Sequence, residues 1–204
     1  MGLYGSCVAP RLIRHAMGAA RLMPLRRQVA QAAVGRVVEL GIGAGANLTL
    51  YGRDVVEVQG FDTARYLLEQ ARRTATWLPF PVLLFEQSAE HLPLASASVD
   101  TVVVTWSLCS IADPLGALRE ARRVLAPGGR LRFVEHGLSD QPGLAAWQRR
   151  VTPAWRRLAG GCRLDQRVDR LIERAGFTLE RLEVGHLVPG PKLLTYHYAG
   201  VAAI

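Results

Sequence analysis

Lysine is almost missing from this chain: Lys192 is the single example, although the formal charge is +8. The positive charge therefore comes from arginines spread along the whole length. No basic stripe, aromatic–basic interleaving or recognisable nucleic-acid module accompanies them, so nucleic acid is not an expected partner. Cysteine is scarce too. Cys7, Cys109 and Cys162 are odd in number and far apart, which excludes a disulfide framework and the close ligand pairs of a common zinc site, and no metal is expected. A reducing, cytoplasmic setting fits this usage. No stretch approaches the roughly 20 apolar residues that a spanning helix needs. The N-terminus lacks a charged region followed by an apolar core, so neither a transmembrane segment nor a leader is expected. Repeats and low-complexity tracts are absent as well.

What is present is a folded chain. With 204 residues, 50% of them hydrophobic, it can bury a sizeable core, and residues 1–204 read as one compact domain. Residues 10–33 are helix-friendly, and Pro24 divides them into two helices. Together they form an N-terminal helical cap over 1–34, which packs over a sheet edge, lines a substrate pocket or touches a membrane surface peripherally.

Beyond the cap, apolar runs and helical segments alternate. Strands are expected at 36–40, 55–61, 81–85, 101–105 and 130–135, all short and mostly β-branched or aliphatic. Helices are expected at 48–51, 64–74 and 114–125, the last ended by the PGG at 127–129. Alternation of this kind means an α/β fold with a parallel sheet covered on both faces. Segment 143–158 carries Trp147 and Trp155, and a further helix at 164–175 precedes strands at 178–184 and 193–202, which should pair as a hairpin around the Pro/Gly-rich turn at 189–191.

The stretch VVELGIGAGANLTLY, residues 37–51, carries the first chemistry. In an open parallel sheet the turn after the first strand is the expected ligand site. Gly41, Gly43, Gly45 and Ala46 satisfy the dinucleotide fingerprint, and Asp62 falls where that fingerprint wants an acid for a ribose hydroxyl. The same glycines equally satisfy the G-x-G-x-G turn of S-adenosylmethionine enzymes, so the turn alone leaves both open.

The next segments separate the two. EQSAEHLPLASASVDTVVVTWSLCSI at 86–111, followed by ALREARRVLAPGGRLRFVEHG at 117–137, resembles the class I S-adenosylmethionine-dependent methyltransferases. The resemblance extends through SLCSIADPLGALRE, PAWRRLAGGCRLDQR (153–167) and YHYAG (196–200) to the thiol S-methyltransferase branch and its soluble bacterial relatives. It implies a Rossmann-like, seven-stranded, mostly parallel sheet with an antiparallel C-terminal hairpin strand and helices on both faces. It also implies S-adenosylmethionine as cofactor and S-adenosylhomocysteine as product. Microsomal members of that branch carry an N-terminal membrane anchor; this chain is expected to lack one.

Site roles follow from the resemblance. Glu39, Gly41, Gly43 and Gly45 would surround the methionine portion of the cofactor, Asp62 the ribose, and Ser88, Ala89 and Glu90 the adenine, with Thr63 also at the cofactor. Ser88 stands where many relatives have Asp, and a neutral hydroxyl accepts more weakly. Thr105, Trp106 and Ser107 would form the floor beneath the transferred methyl. The acceptor would sit against Trp106, Cys109, Trp155 and Cys162, the last two in a substrate-region insertion at 138–163 that also holds Trp147 and Arg156. Direct in-line methyl transfer needs proximity, alignment and exclusion of water. A thiol needs modest help to ionise, which His136 or His197 could supply. Each of these side chains has a structural alternative, the cysteines as small hydrophobes and the tryptophans as core. The expected partner is a small-molecule acceptor, most simply a thiol, met by a monomer or homodimer. Methylation of nitrogen, oxygen or carbon on a lipid or quinone, and a cofactor-binding module without catalysis, are the competing readings.

Overall fold

The computed structural model describes residues 19–204. The expected N-terminal cap is therefore seen only in part; Cys7 and the helix expected from residue 10 lie outside the described residues. A 3-10 turn at Ala20–Leu22 leads into α1, Met23–Ala30. Pro24 sits in the first turn of α1, where its missing N–H leaves no helical bond unmade, so it begins a helix rather than interrupting one. Among the described residues no helix is long and apolar enough to cross a membrane.

The core alternates as the sequence leads one to expect. β1 (Gly35–Leu40), β2 (Val55–Asp62), α2 (Arg65–Ala75), β3 (Val82–Glu86), β4 (Val99–Thr105), α3 (Pro114–Val124) and β5 (Leu125–His136) follow in turn. α4 (Pro142–Leu158), α5 (Val168–Arg174), β6 (Thr178–His186), α6 (Lys192–Thr195) and β7 (Tyr196–Ala203) complete the chain. The seven strands lie in one sheet in the order β3-β2-β1-β4-β5-β7-β6. All neighbours are parallel except β7, which runs antiparallel to both β5 and β6.

Strand alternation divides the core between the two faces. Val38, Val102 and Phe133 point to the side covered by Leu118 and Ala121 of α3 and Ile172 of α5. Val37, Val103 and Val134 point to the side covered by Leu25 and Val29 of α1 and Leu68 of α2. Every strand through the centre is buried on both faces, which is why β4 reads as a nearly unbroken valine run. Each such side chain contributes about 1.5–3 kcal/mol of burial. The strand order reverses between β1 and β4, so a crevice opens at their carboxyl ends.

Several elements differ from expectation, and the helix expected at 48–51 is a 3-10 turn, Leu48–Leu50. The PGG does not end α3, which stops at Val124. It forms an excursion inside β5, where the register jumps from Val99 opposite Leu125 to Thr101 opposite Arg130, with Gly128 at φ +85°. The helix expected at 164–175 starts only at Val168, because the preceding backbone is bonded elsewhere: Gln166 C=O accepts from Leu138 N, and Arg163 N donates to Cys109 C=O. The last strand starts at Tyr196 because Lys192–Thr195 makes a helical turn.

Candidate active site

Two cavities share the carboxyl end of the sheet and meet at Trp106 and Ser110. The first, about 490 Å³, lies over the glycine turn. Its lining includes Gly41, Gly43, Asp62, Thr63, Ser88, Ala89, Glu90, Thr105, Trp106 and Ser107, so ten of the twelve residues expected around a cofactor converge on one volume. A Cβ on Gly41 would lie 2.3 Å from the Ser107 Cβ, so the turn can approach β4 this closely only as bare backbone.

Asp62 organises the rim. Its Oδ2 accepts from Gly43 N at 2.9 Å and its Oδ1 from Ala64 N at 2.8 Å, tying the glycine turn to the start of α2. Burial pushes its pKa upward, against the backbone N–H groups that favour the carboxylate. Ser88 Oγ accepts from Glu90 N at 3.3 Å, and the Glu90 carboxylate accepts from Asp113 N at 2.7 Å, so the loop after β3 is pinned to the start of α3.

The two expected cofactor residues that do not line this cavity are Glu39 and Gly45. Glu39 is fully buried in β1, accepting from Asn47 Nδ2 at 2.7 Å and from Tyr51 OH at 2.6 Å. Arg26 Nη1 extends the network by donating to Asn47 Oδ1 at 2.9 Å and Thr105 Oγ1 at 3.1 Å. Burial raises Glu39 to about 7 despite these donors. These bonds tie the end of β1 to the segment that follows the glycine turn. Gly45, at φ +77°, serves packing: a Cβ there would meet Leu48 Cδ1 at 2.6 Å and Ala71 at 3.2 Å. Arg26, Asn47 and Tyr51 carried no pattern in the sequence that singled them out.

The second cavity, about 340 Å³, is mostly apolar. Trp106, Cys109, Trp155 and Cys162 line it, as do His136 and His197, so all four expected acceptor residues and both expected histidines meet in one place. Among its described lining residues there is no carboxylate; Arg21 contributes the cation at its edge. Arg156 and Trp147 are not part of it. Trp147 is 61% exposed, with the Arg150 guanidinium over its ring.

Trp106 separates the two cavities. It has φ +50°, a left-handed conformation that strains any residue with a Cβ, and its N–H donates to Val134 C=O at 2.9 Å. The Arg26 guanidinium sits 4.8 Å from the ring centre, and the His197 ring meets it edge-on at 5.8 Å.

Sulfur and imidazole cluster at one end of the apolar cavity. Cys162 Sγ lies 3.1 Å from His136 Nε2 and accepts from Trp155 Nε1 at 3.3 Å. The Cys109 thiol also hydrogen-bonds Cys162, and with His136 this brings Cys162 down to about 4 against the opposing effect of burial. Cys109 is pushed well above its ordinary value by the same bond. Burial opposes charge on His136, but the bond to Cys162 wins and raises its pKa. His197 differs: burial lowers it to about 4, so it is neutral near pH 7. Its Nδ1 lies 2.6 Å from Thr195 C=O and must donate to it, which leaves the lone pair on Nε2.

Comparison with known proteins gives a consistent picture. A family model described as a methyltransferase domain matches residues 38–133. Thiol S-methyltransferase TMT1B of Rattus norvegicus is 35% identical over 151 residues, covering 72% of this chain and 62% of that protein. Phosphatidylethanolamine N-methyltransferase of Cereibacter sphaeroides is 34% identical over 127 residues, covering 60% of this chain and 62% of that protein. The chain thus spans 62% of the length of these curated relatives. Among solved structures, a SAM-dependent methyltransferase from Leishmania major superposes with a TM-score of 0.72 at 15% identity, covering 98% of this chain and 80% of that one.

Proposed function

We propose, from the premise that this chain belongs through its methyltransferase domain to the class I S-adenosylmethionine-dependent methyltransferases, that it transfers a methyl group to the sulfur of a small thiol. The observation that carries this reading is the pair of cavities meeting at Trp106 and Ser110, one floored by the glycine turn and the other apolar, sulfur-lined and free of carboxylates among its described residues.

The first cavity fits S-adenosylmethionine on its own geometry. Its volume lies in the range of small-molecule sites. Gly41 leaves bare backbone where a methionine moiety would lie, Asp62 has carboxylate lone pairs left for ribose hydroxyls, and Ser88 to Glu90 frame the adenine end. When bound, S-adenosylmethionine supplies an electrophilic methyl: the acceptor sulfur forms the new C–S bond as the sulfonium C–S bond breaks, and the thiol proton passes to solvent.

The chain's own residues position this exchange. The Glu39, Asn47 and Tyr51 network holds the glycine turn, and Trp106 with Ser110 frames the opening between the cavities. His136 is engaged by Cys162, whereas the His197 Nε2 lone pair is left to accept a hydrogen bond from an acceptor S–H. With a pKa near 4, His197 orients the thiol rather than storing its proton. Segment 138–163 supplies Trp155 and Cys162, which supports its reading as the substrate region of a single domain. A cationic amine acceptor would meet no carboxylate among the described lining residues, and the mostly apolar wall suits a small thiol better. The free thiols of Cys109 and Cys162 suit a cytoplasmic protein acting as a monomer or homodimer on a small molecule.

The test is product analysis by mass spectrometry with hydrogen sulfide, methanethiol and 2-mercaptoethanol beside phenol, amine and phospholipid controls. Thioether products, lost in Asp62→Ala, are expected. Methylation of a control alone overturns the sulfur assignment; cofactor binding without any product points to a non-catalytic module.

A further inference from the structure

The chain folds a Cys-His-Cys cluster into the wall of the apolar cavity that its sequence spacing conceals. The Sγ atoms of Cys109 and Cys162 and a ring nitrogen of His136 all lie within 4.8 Å of one another. The three come from different parts of the fold: the loop after β4, the end of β5 and the loop after α4. Both cysteine segments are tethered. Cys109 C=O accepts from Arg163 N at 2.9 Å, and Cys162 N donates to Ala159 C=O at 3.2 Å.

We propose that Cys109, His136 and Cys162 form a binding site for a zinc-class divalent cation, held by two sulfurs and one imidazole nitrogen, with its fourth position open to the cavity.

Geometry supports three-point ligation. A tetrahedral centre with zinc–sulfur bonds of about 2.3 Å and a zinc–nitrogen bond of about 2.0 Å sets its donors roughly 3.5–3.8 Å apart. The Cys162 to His136 separation of 3.1 Å and the 4.8 Å bound on the whole set bracket that spacing, so small side-chain rotations close the site. Ligand type agrees, since two thiols and an imidazole are the donor set of soft and borderline metals. The Trp155 indole N–H on Cys162 Sγ is the kind of outer hydrogen bond that fixes a sulfur ligand.

Glu135, fully buried, precedes His136 at the end of β5. Its Oε1 accepts from Ser107 N at 2.7 Å and Leu108 N at 3.0 Å, while its Oε2 has no hydrogen-bond partner among the described residues. These bonds hold the segment leading to Cys109 against the strand end that carries His136. Three protein ligands facing a cavity match the arrangement in which a metal keeps one position for an exchangeable ligand. Resting on the thiol reading of that cavity, this fourth ligand is the acceptor sulfur, which on binding loses to solvent the S–H proton it first shares with His197.

Cobalt(II) titration of the full, chelator-treated chain, without cofactor, tests the site. One equivalent should give a thiolate-to-cobalt charge-transfer band and the strong visible bands of tetrahedral cobalt. Cys109→Ser and Cys162→Ser, each checked for folding by circular dichroism, should lose charge-transfer intensity and bind more than about 10-fold more weakly. Added 2-mercaptoethanol should shift the visible bands by taking the open position. An absent charge-transfer band, or one that survives in both variants, overturns the site. Bands indifferent to 2-mercaptoethanol overturn the open position. The reading does not depend on turnover: cobalt bound as described in a protein that methylates no thiol keeps the site and refutes the thiol assignment, and thiol methylation without cobalt binding does the reverse.

Discussion

Cys162 Sγ lies 3.1 Å from His136 Nε2 in the wall of the apolar cavity, while Cys109 beside it is only 3% exposed. The two thiols therefore differ in access. In chelator-treated protein, iodoacetamide should modify Cys162 well before Cys109, and a bound small thiol acceptor should slow that reaction. Peptide mass mapping, which also separates Cys7, checks the order. Equal rates for Cys109 and Cys162 would contradict the geometry.

Asn47 connects three buried polar groups, donating to Glu39 and Thr105 and accepting from Arg26. Asn47→Ala leaves a buried carboxylate and guanidinium short of partners, at a cost of about 2–3 kcal/mol. For a chain of this size that lowers Tm by roughly 4–12 °C. Differential scanning fluorimetry reads the change, and a shift below one degree would show the network to be dispensable.

The positive φ at Trp106 gives an inverted ranking. Replacing a buried residue by Gly is ordinarily worse than by Ala, but φ +50° penalises a Cβ by roughly 1–2 kcal/mol. Trp106→Gly should therefore be more stable than Trp106→Ala by about 1 kcal/mol in urea unfolding. Both should retain cofactor binding better than methyl transfer.

Burial raises Glu39 from an ordinary 4.5 to about 7. The folded chain holds this proton more tightly than the unfolded one, so the associated stability is fully present below pH 4.5 and is lost as pH rises through 7. The stability difference between wild type and Glu39→Gln should change by up to about 3 kcal/mol between pH 5 and pH 8 in favour of the variant at the higher pH. A pH-independent difference would place the Glu39 pKa near its ordinary value.

Much of this organisation was legible in the sequence because it rests on local rules. The valine run of β4 and the glycine turn after β1 announce a parallel sheet with a ligand at its carboxyl end, and Asp62 falls where that ligand's ribose would be. Motif spacing was a poorer guide to direction. Glu39, expected beside the cofactor, does not line the cavity and joins a buried network whose other members, Arg26, Asn47 and Tyr51, follow no sequence pattern. The cysteines make the same point from the other side. Wide spacing argued against metal, yet folding brings Cys162 against His136, 26 residues away, and Cys109 beside both. The PGG, read as a helix end, became a β-excursion because four residues of β5, Ala126 to Gly129, stand against the single residue Asp100 of β4 between paired positions.

The most direct test of the methyl-transfer account follows the methyl group itself. Wild type and Asp62→Ala would be incubated with methyl-deuterated S-adenosylmethionine and an equimolar mixture of 2-mercaptoethanol, a phenol and a primary amine, and the products read by mass spectrometry. The account predicts the label on sulfur in wild type and a loss of about 100-fold or more in Asp62→Ala, as expected for removing a charged acceptor of several hydrogen bonds. Label on oxygen or nitrogen with none on sulfur, or undiminished transfer in Asp62→Ala, would contradict it.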